Sequence, residues 1–363
     1  FRRVLFRSVS PYLTTAQKFP YLGTPPVVRV AGWDTAPGSL VDALEKHGVL
    51  ERGIWMPYEP ALADIPVRRA PEAAMGLKNQ VAALKSDIKE MTQGYDGLVP
   101  VLVNLLPASR CHDLCRFTDA GQLYEGVNAA PIPDIAYTLA AVESGVGVVN
   151  FTPNEVEIPA IIDAARKSGA PMAGRDGKTG QTYFKIVLAS ALKARNLFVN
   201  GWYSLNILGN ADGENLMDPE NASCKLDNKT DVLDNVLGYA PGERRYGKAA
   251  HKVHIDYYPP RGDAKEAWDV IDFESLFGLS MSLRLNLQGR DSILAAPMVL
   301  DLGRWMAALS LSGRSGPVGE LAFFFKKGIG ADPSLTFSQQ LRRLNLLEEA
   351  CDNRLMETTQ STC

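Results

Sequence analysis

Between about residues 26 and 200, short β-branched runs alternate with helical segments, and few folds accommodate that rhythm. Val27-Val28-Arg29-Val30-Ala31 ends at Gly32 and reads as a strand, and residues 39–50 follow with helical spacing. A helix is predicted over 72–93, with Val81, Ala82, Leu84, Ile88 and Met91 on one side. Leu98 to Leu105 has the pattern of a buried strand, and residues 131–144 open with Pro-Ile-Pro-Asp, as a helix with proline near its start does. Gly145 to Phe151 is the next strand, 155–168 the next helix, and Ala170 to Ala173 leads into a glycine-rich turn. Such alternation predicts an α/β fold, a parallel sheet with helices on both faces.

After about residue 200 the rhythm changes. Leu197 to Leu208, Lys252 to Tyr258 and Leu279 to Leu287 are strand-like, with Val253, Ile255 and Tyr257 alternating with polar residues. An α+β segment with an open sheet is expected there. Residues 292–312 and 335–356 return to helical patterns. The 363 residues suffice for two domains, and 46% hydrophobic with 22% charged residues excludes a mostly disordered chain. With 38 basic and 41 acidic residues, no basic field argues for nucleic acid. No apolar run of about 18 residues argues for a membrane span. Five cysteines do not make a disulfide framework, which fits a reducing cytoplasm. The chain opens on Phe1 with the arginine-rich stretch Phe1 to Ser8, and residues 1–9 are set aside from fold reasoning.

Three polar clusters punctuate this framework. Gly174-Arg175-Asp176-Gly177-Lys178-Thr179-Gly180-Gln181-Thr182 lies between a strand and a helix that begins near Gln181. Glycines let backbone N–H groups approach an anion, and a helix N-terminus attracts phosphate. The spacing is not that of a P-loop, so a phosphate cradle and a tight capped turn are equally compatible with these residues. Asn206 to Leu216 crowds amides and acids at a strand end, and by composition alone is a loop of turn formers. The third cluster is a set of lysines. Lys225 and Lys229 share a face if their segment is helical, Lys265 follows Gly262-Asp263-Ala264, and Lys326-Lys327 end the run Phe323-Phe324-Phe325. A single lysine is normally solvated, whereas one beside apolar or cationic neighbours can serve as acid or base. Cys111-His112 and Cys115 lack a second pair at zinc spacing, and neither HExxH nor GxSxG occurs, so no metal site is expected.

Taken in order, these elements resemble the myo-inositol-1-phosphate synthase (inositol-3-phosphate synthase) family, bacterial type, from about Val27 to about Gly330. The markers are Gly32-Trp33-Asp34, Asp176 to Thr182, Leu208 to Leu216, Gly262 to Lys265, and Asp291-Ser292-Ile293-Leu294-Ala295-Ala296-Pro297. The resemblance implies NAD as cofactor and glucose 6-phosphate as substrate. Oxidation at C5, enolisation at C6, aldol closure of C6 onto C1 and reduction at C5 would give 1L-myo-inositol 1-phosphate. It implies Lys225, Lys229, Lys265 and Lys326 as active-site lysines, with Asp176, Asp263 and Asp291 as the acids around them. Lys326 is preferred to Lys327 because the family's lysine directly follows the aromatic run. Thr179, Gly180, Gln181 and Thr182 match phosphate-binding positions, and Asn206, Leu208, Asn210 and Asp212 the substrate pocket. Asp34, which follows a strand where an acid can bind ribose hydroxyls, Asn104, Asp176, Asp291 and Ser292 are the cofactor candidates.

The resemblance further implies a split Rossmann-like NAD-binding domain over 10–183 and 291–363, and an inserted α+β catalytic and oligomerisation domain over 184–290. A homotetramer and a role in inositol and phospholipid biosynthesis follow from it. No G-x-G-x-x-G run precedes Gly32. With the unusual first residues, this suggests N-terminal truncation and weak NAD binding by this chain, which an NAD titration by calorimetry tests. The alternatives are an NAD-dependent sugar-phosphate dehydrogenase, which would accumulate NADH, and a degenerate homologue without catalysis.

Overall fold

A computed structural model describes residues 28–109, 112–128, 133–221, 232–333 and 335–361. The described strands are β1 (Gly32–Asp34), β2 (Val67–Arg69), β3 (Val101–Asn104), β4 (Gly147–Asn150), β5 (Pro171–Gly174), β6 (Phe198–Leu208), β7 (His251–Tyr257), β8 (Lys265–Glu274), β9 (Ser280–Gly289) and β10 (Gly316–Pro317). The described helices of eight or more residues are α1 (Leu40–His47), α2 (Leu77–Thr92), α3 (Pro133–Glu143), α4 (Pro159–Ser168), α5 (Gln181–Ala194), α6 (Asp291–Leu311) and α7 (Phe337–Ser361).

The first rhythm folds as an α/β layer structure. β4 and β5 are buried at every position, as strands covered on both faces must be. They belong to a parallel sheet of order β10-β5-β4-β3. Because successive side chains point to opposite faces, Val148 and Val149 enter different cores. Val148 and Met172 pack with Ile135, Leu139 and Val142 of α3 and with Ile161 and Ala165 of α4. Val149 and Ala173 pack with Leu302, Trp305, Met306 and Leu309 of α6 and with Leu344 and Leu347 of α7. Each fully buried side chain of this size contributes roughly 1.5–3 kcal/mol.

The first strand is displaced from its expected place. Val28 and Val30 are exposed, and pairing runs through Gly32–Asp34, parallel to β2. Trp33 decides the register: its Nε1 donates to Asp87 Oδ2 of α2 at 2.8 Å, and its ring lies 5.5 Å from that of Tyr137 of α3. A second surprise is α6. By length and composition alone it is apolar enough to cross a membrane, contrary to the sequence expectation. Its buried residues Leu302, Trp305, Met306 and Leu309 face the parallel sheet, so core packing accounts for much of that apolarity.

The later segment forms a mixed sheet of order β7-β6-β8-β9. β6 runs parallel to β7 and antiparallel to β8, and β8 runs antiparallel to β9. β8 is central in this sheet yet is missed by hydrophobic patterning, because Glu266 and Asp269 are acidic residues at buried positions. α5 covers the inner face, where Ile186 and Ala189 meet Trp202 and Ile271. Gly209 ends β6 against the turn over 258–262. A Cβ there would lie 2.4 Å from Gly262 N and 2.7 Å from Tyr258 O, so only glycine allows that approach.

Candidate active site

The glycine-rich segment after β5 is tied down from two sides. Asp176 N donates to Thr152 O and Gly177 N to Phe151 O, which fixes it to the end of β4. Lys178 N donates to Phe324 O and Lys326 N to Asp176 O, which fixes it to the aromatic run. Gly177 fits because the Phe151 ring lies where a Cβ would stand, 2.1 Å from its nearest atom. Asp176 takes a left-handed φ of 62°, a conformation that aspartate tolerates better than most residues. This double attachment selects between the neighbouring lysines: Lys326 Nζ donates to Asp176 Oδ1 at 2.5 Å, in a pair with both side chains at most 10% exposed.

A second lysine–carboxylate pair stands beside the first. Lys265 opens β8, and its Nζ donates to Asp291 Oδ2 at 2.7 Å. Asp291, in the first turn of α6, also accepts from Thr179 Oγ1 at 2.9 Å. Burial alone would raise the Asp291 pKa. The Lys265 charge and hydrogen bond, the Lys326 charge and the Thr179 hydroxyl outweigh it and hold the carboxyl at about 2. The influence of Lys326 on Asp291 links the two pairs in one electrostatic site. Asp176 Oδ2 is buried and has no hydrogen-bond partner among the described residues, so it is open to a ligand donor.

The N-terminus of α5 adjoins this site. Gly180 precedes the helix with φ −142°, and Gln181 and Thr182 are buried in its first turn. The first N–H groups of a helix lack intrahelical acceptors and carry partial positive charge. Asn206 is fully buried on β6, and its Nδ2 donates to Gln181 Oε1 at 2.6 Å. Leu208 packs with Ala108 and Leu216, and Asn210 Oδ1 accepts from Gly213 N, capping the short helix that holds Asp212. Asp263 does not meet Lys265. It accepts from Arg290 Nε at 3.0 Å and from Ser292 Oγ at 2.8 Å, bracing the start of α6. Lys225 and Lys229 lie outside the described residues, as does Cys111. Among the described residues no group of His, Cys, Asp and Glu could hold a metal ion.

A separate cleft of about 290 Å³ opens where the carboxyl ends of β1 and β3 meet α3. Trp33, Asp34, Arg69, Gln80, Leu106 and Tyr137 are among its lining residues. Ligands bind parallel α/β sheets at such strand ends, and the Asp34 carboxylate offers acceptors for vicinal hydroxyls. These residues fit the adenosine end of a dinucleotide. Asn104 is turned inward instead: its Nδ2 donates to Asp134 Oδ1 at 2.5 Å and to Asn150 Oδ1 at 3.2 Å.

The family model for myo-inositol-1-phosphate synthase matches residues 180–292, the span from the α5 N-terminus to Ser292. The chain is 43% identical over 195 residues to inositol-3-phosphate synthase 1 of Bacteroides thetaiotaomicron, covering 53% of this chain and 46% of that relative. The chain is thus similar to inositol-3-phosphate synthases over part of their length, with the family-model match confined to residues 180–292. A second relative, the inositol-3-phosphate synthase of Sesamum indicum, is 30% identical over 304 residues, 77% of this chain and 59% of that relative. The chain thus spans about half the length of these curated relatives. The fold agrees with the crystal structure of inositol-3-phosphate synthase from Caenorhabditis elegans, with TM-score 0.77 at 20% identity over 88% of this chain and 70% of that one. A myo-inositol-1-phosphate synthase-related protein from Thermotoga maritima aligns with TM-score 0.75 at 21% identity over 96% of this chain and 93% of that one.

Residues that the sequence reading did not single out also shape this candidate site. Asp269 accepts from Gln181, Trp202 and Ser204, and Lys178 is buried beneath the loop. Lys185 Nζ lies 3.0 Å from His251 Nε2, and burial lowers the pKa of Lys185 to about 8 and that of His251 to about 3. Position four after Lys265 and four after Gln181 were the only sequence signals for Asp269 and Lys185, and such spacing is uninformative without the strand pairing.

Proposed function

We propose that this chain carries the substrate site of an inositol-3-phosphate synthase, which converts glucose 6-phosphate to 1L-myo-inositol 1-phosphate. The observation that carries the reading is the convergence of Lys265–Asp291 and Lys326–Asp176 beside the N-terminus of α5. Each carboxylate orients its lysine through a direct hydrogen bond. Two fixed ammonium groups then stabilise negative charge on oxygen during enolisation at C6 and closure of C6 onto C1. Substrate phosphate is bound by Thr179, Gly180, Gln181 and Thr182, through the free N–H groups of the helix start and the Thr182 hydroxyl, the Thr179 hydroxyl being given to Asp291. Asn206, Leu208, Asn210 and Asp212 form the sugar pocket, and Lys225 and Lys229 complete the lysine set by resemblance to the family.

Bound NAD would supply reversible hydride transfer at C5, which would make the net reaction an isomerisation. Asp34 is the ribose-binding residue in the cleft at the end of β1, supported by its place at the rim. By resemblance to the family, Asp176 and Asp291 would stand near the nicotinamide and Ser292 would serve as a further cofactor residue, whereas the Asn104 amide is engaged by Asp134 and Asn150. In this reading residues 10–183 and 291–363 form the Rossmann-like domain, and 184–290 the catalytic and oligomerisation domain. The separate parallel and mixed sheets support that division. The outer face of the mixed sheet, with Tyr203 at 42% and Trp268 at 44% exposure, supports assembly into a homotetramer. The free thiols of Cys115 and Cys351 are compatible with a cytoplasmic location.

The test is incubation with glucose 6-phosphate and NAD, with products followed by phosphorus and proton NMR. Inositol phosphate without net NADH is the expected result. Accumulation of NADH with an oxidised sugar would replace the synthase with a dehydrogenase.

A further inference from the structure

The side-chain amide of Gln181 is engaged at both ends. Its Nε2 donates to Asp269 Oδ2 at 2.9 Å, and its Oε1 accepts from Asn206 Nδ2 at 2.6 Å. Asp269 is held on its other oxygen, where Trp202 Nε1 donates at 2.7 Å and Ser204 Oγ at 2.6 Å. Every member of this network is buried.

Hydrogen-bond direction propagates through it. An indole N–H can only donate, and an ionised carboxylate can only accept. Asp269 therefore demands the NH₂ end of Gln181. The carbonyl end of Gln181 then demands the NH₂ of Asn206. What remains is Asn206 Oδ1, a buried acceptor with no hydrogen-bond partner among the described residues. Unpaired buried acceptors are costly and rare. Its strand position is close to Lys265: Asn206 is two residues before Leu208, whose neighbour across the sheet is Lys265. Gln181 follows the Thr179 whose hydroxyl bonds Asp291.

We propose that Asp269 is a positioning residue that, through Gln181, presents Asn206 Oδ1 as the acceptor for a hydroxyl of the sugar phosphate. The dianion of a phosphate monoester has no proton to donate, so Asn206 reads the sugar and not the ester phosphate. This rests on the proposed glucose 6-phosphate reading and adds the polarity of the contact and the residue that sets it.

The geometry supplies a directional test. In Asp269→Asn the remaining oxygen can keep the Trp202 and Ser204 bonds, while the new NH₂ faces Gln181. Gln181 must then turn over, Asn206 turns with it, and a donor replaces the acceptor in the site. Adding Gln181→Glu exchanges donor and acceptor across the pair, keeps one negative charge, and returns Asn206 to its original orientation. Calorimetric titration of the full chain with glucose 6-phosphate in the presence of NAD should show roughly tenfold or greater weakening in Asp269→Asn. The affinity for inorganic phosphate should be unchanged, and the double variant should recover most of the glucose 6-phosphate affinity. Equal loss of both ligands, or no recovery in a folded double variant, overturns the proposal.

Thermal unfolding provides a readout independent of ligand. Gln181→Glu alone opposes two carboxylates and should melt several degrees lower, and Asp269→Asn in the same chain should reverse that loss. Absence of this coupling refutes the directional network whatever the substrate. A wild-type chain that couples in this way yet binds no glucose 6-phosphate instead refutes the proposed function, and the sugar contact with it.

Discussion

Replacing Lys178 with methionine tests how a buried ammonium group loads the stability of the site. Lys178 is 2% exposed. Its Nζ donates to Gln340 Oε1 at 2.8 Å and to Ala322 O at 3.4 Å, and lies 5.8 Å from the centre of the Phe323 ring. Burial lowers its pKa from 10.5 to about 7. The folded state thus releases the proton more readily than the unfolded chain. Between those two values the unfolded state binds more protons, so wild-type stability rises with pH. The slope is about 1.36 kcal/mol per pH unit. The penalty reaches about 5 kcal/mol below the folded pKa and disappears above the unfolded one. Methionine has similar length, no charge and a thioether that suits an aromatic neighbour. It leaves Gln340 Oε1 without that donor, an offset of about 1–3 kcal/mol that does not vary with pH. Urea unfolding of both chains at about pH 6, 8 and 10 isolates the lysine as the pH dependence of their difference. The difference should change by about 4 kcal/mol over that range, with the variant losing ground as pH rises. Parallel curves would show that Lys178 titrates as an ordinary lysine and would refute the reasoning.

Other outcomes follow from the same geometry. Lys265→Ala should fold normally and lose about 100-fold or more in turnover; near-wild-type activity in the inositol phosphate assay removes it from the mechanism. Asp176→Asn keeps a side chain that tolerates the left-handed φ of 62° but leaves the largely buried Lys326 ammonium without the Asp176 counter-charge, so the melting temperature should fall by several degrees and turnover should collapse; near-wild-type turnover would remove the pair from the mechanism. Asp291 is held at about 2 against an ordinary 3.8, so its pair with Lys265 stabilises the fold above that ordinary value and is lost as pH falls through the folded one. Its side chain is 37% exposed, so solvent screening limits the contribution to about 1 kcal/mol, read as a flatter acid limb of the unfolding curve in Asp291→Asn. Leu139→Ala, at a fully buried site of α3, should cost about 2–5 kcal/mol in urea unfolding.

Much of the fold was legible because its signals are local. The fully buried runs at β4 and β5, the helical spacing of α1 and the proline start of α3 each act over a few residues. The errors fall where distant partners decide. The first described strand sits at Gly32–Asp34, past the β-branched run that the pattern favoured, because Trp33 is anchored to Asp87. β8 was overlooked because its buried acids disguise a central strand, and an acid can be buried there only with Gln181, Trp202 and Ser204 to satisfy it. The resemblance proposed the lysines, but sequence order could not say which acid each would meet. Asp263, adjacent in the Gly-Asp-Ala-Lys element, faces Arg290 and Ser292, while Lys265 reaches Asp291 across 26 positions.

The amino-acid sequence by itself determined the α/β class, the family resemblance and the identity of the charged residues, because backbone preference, hydrophobic period and motif order are properties of the chain. The tertiary structure alone decided the pairings. Lys326 meets Asp176 because two segments about 150 positions apart share backbone hydrogen bonds, and Asn206 presents an oxygen with no partner among the described residues because Asp269 fixes Gln181. Electrostatic and hydrogen-bond energies depend on distance in space and on exclusion of water, and neither quantity exists until the chain has folded.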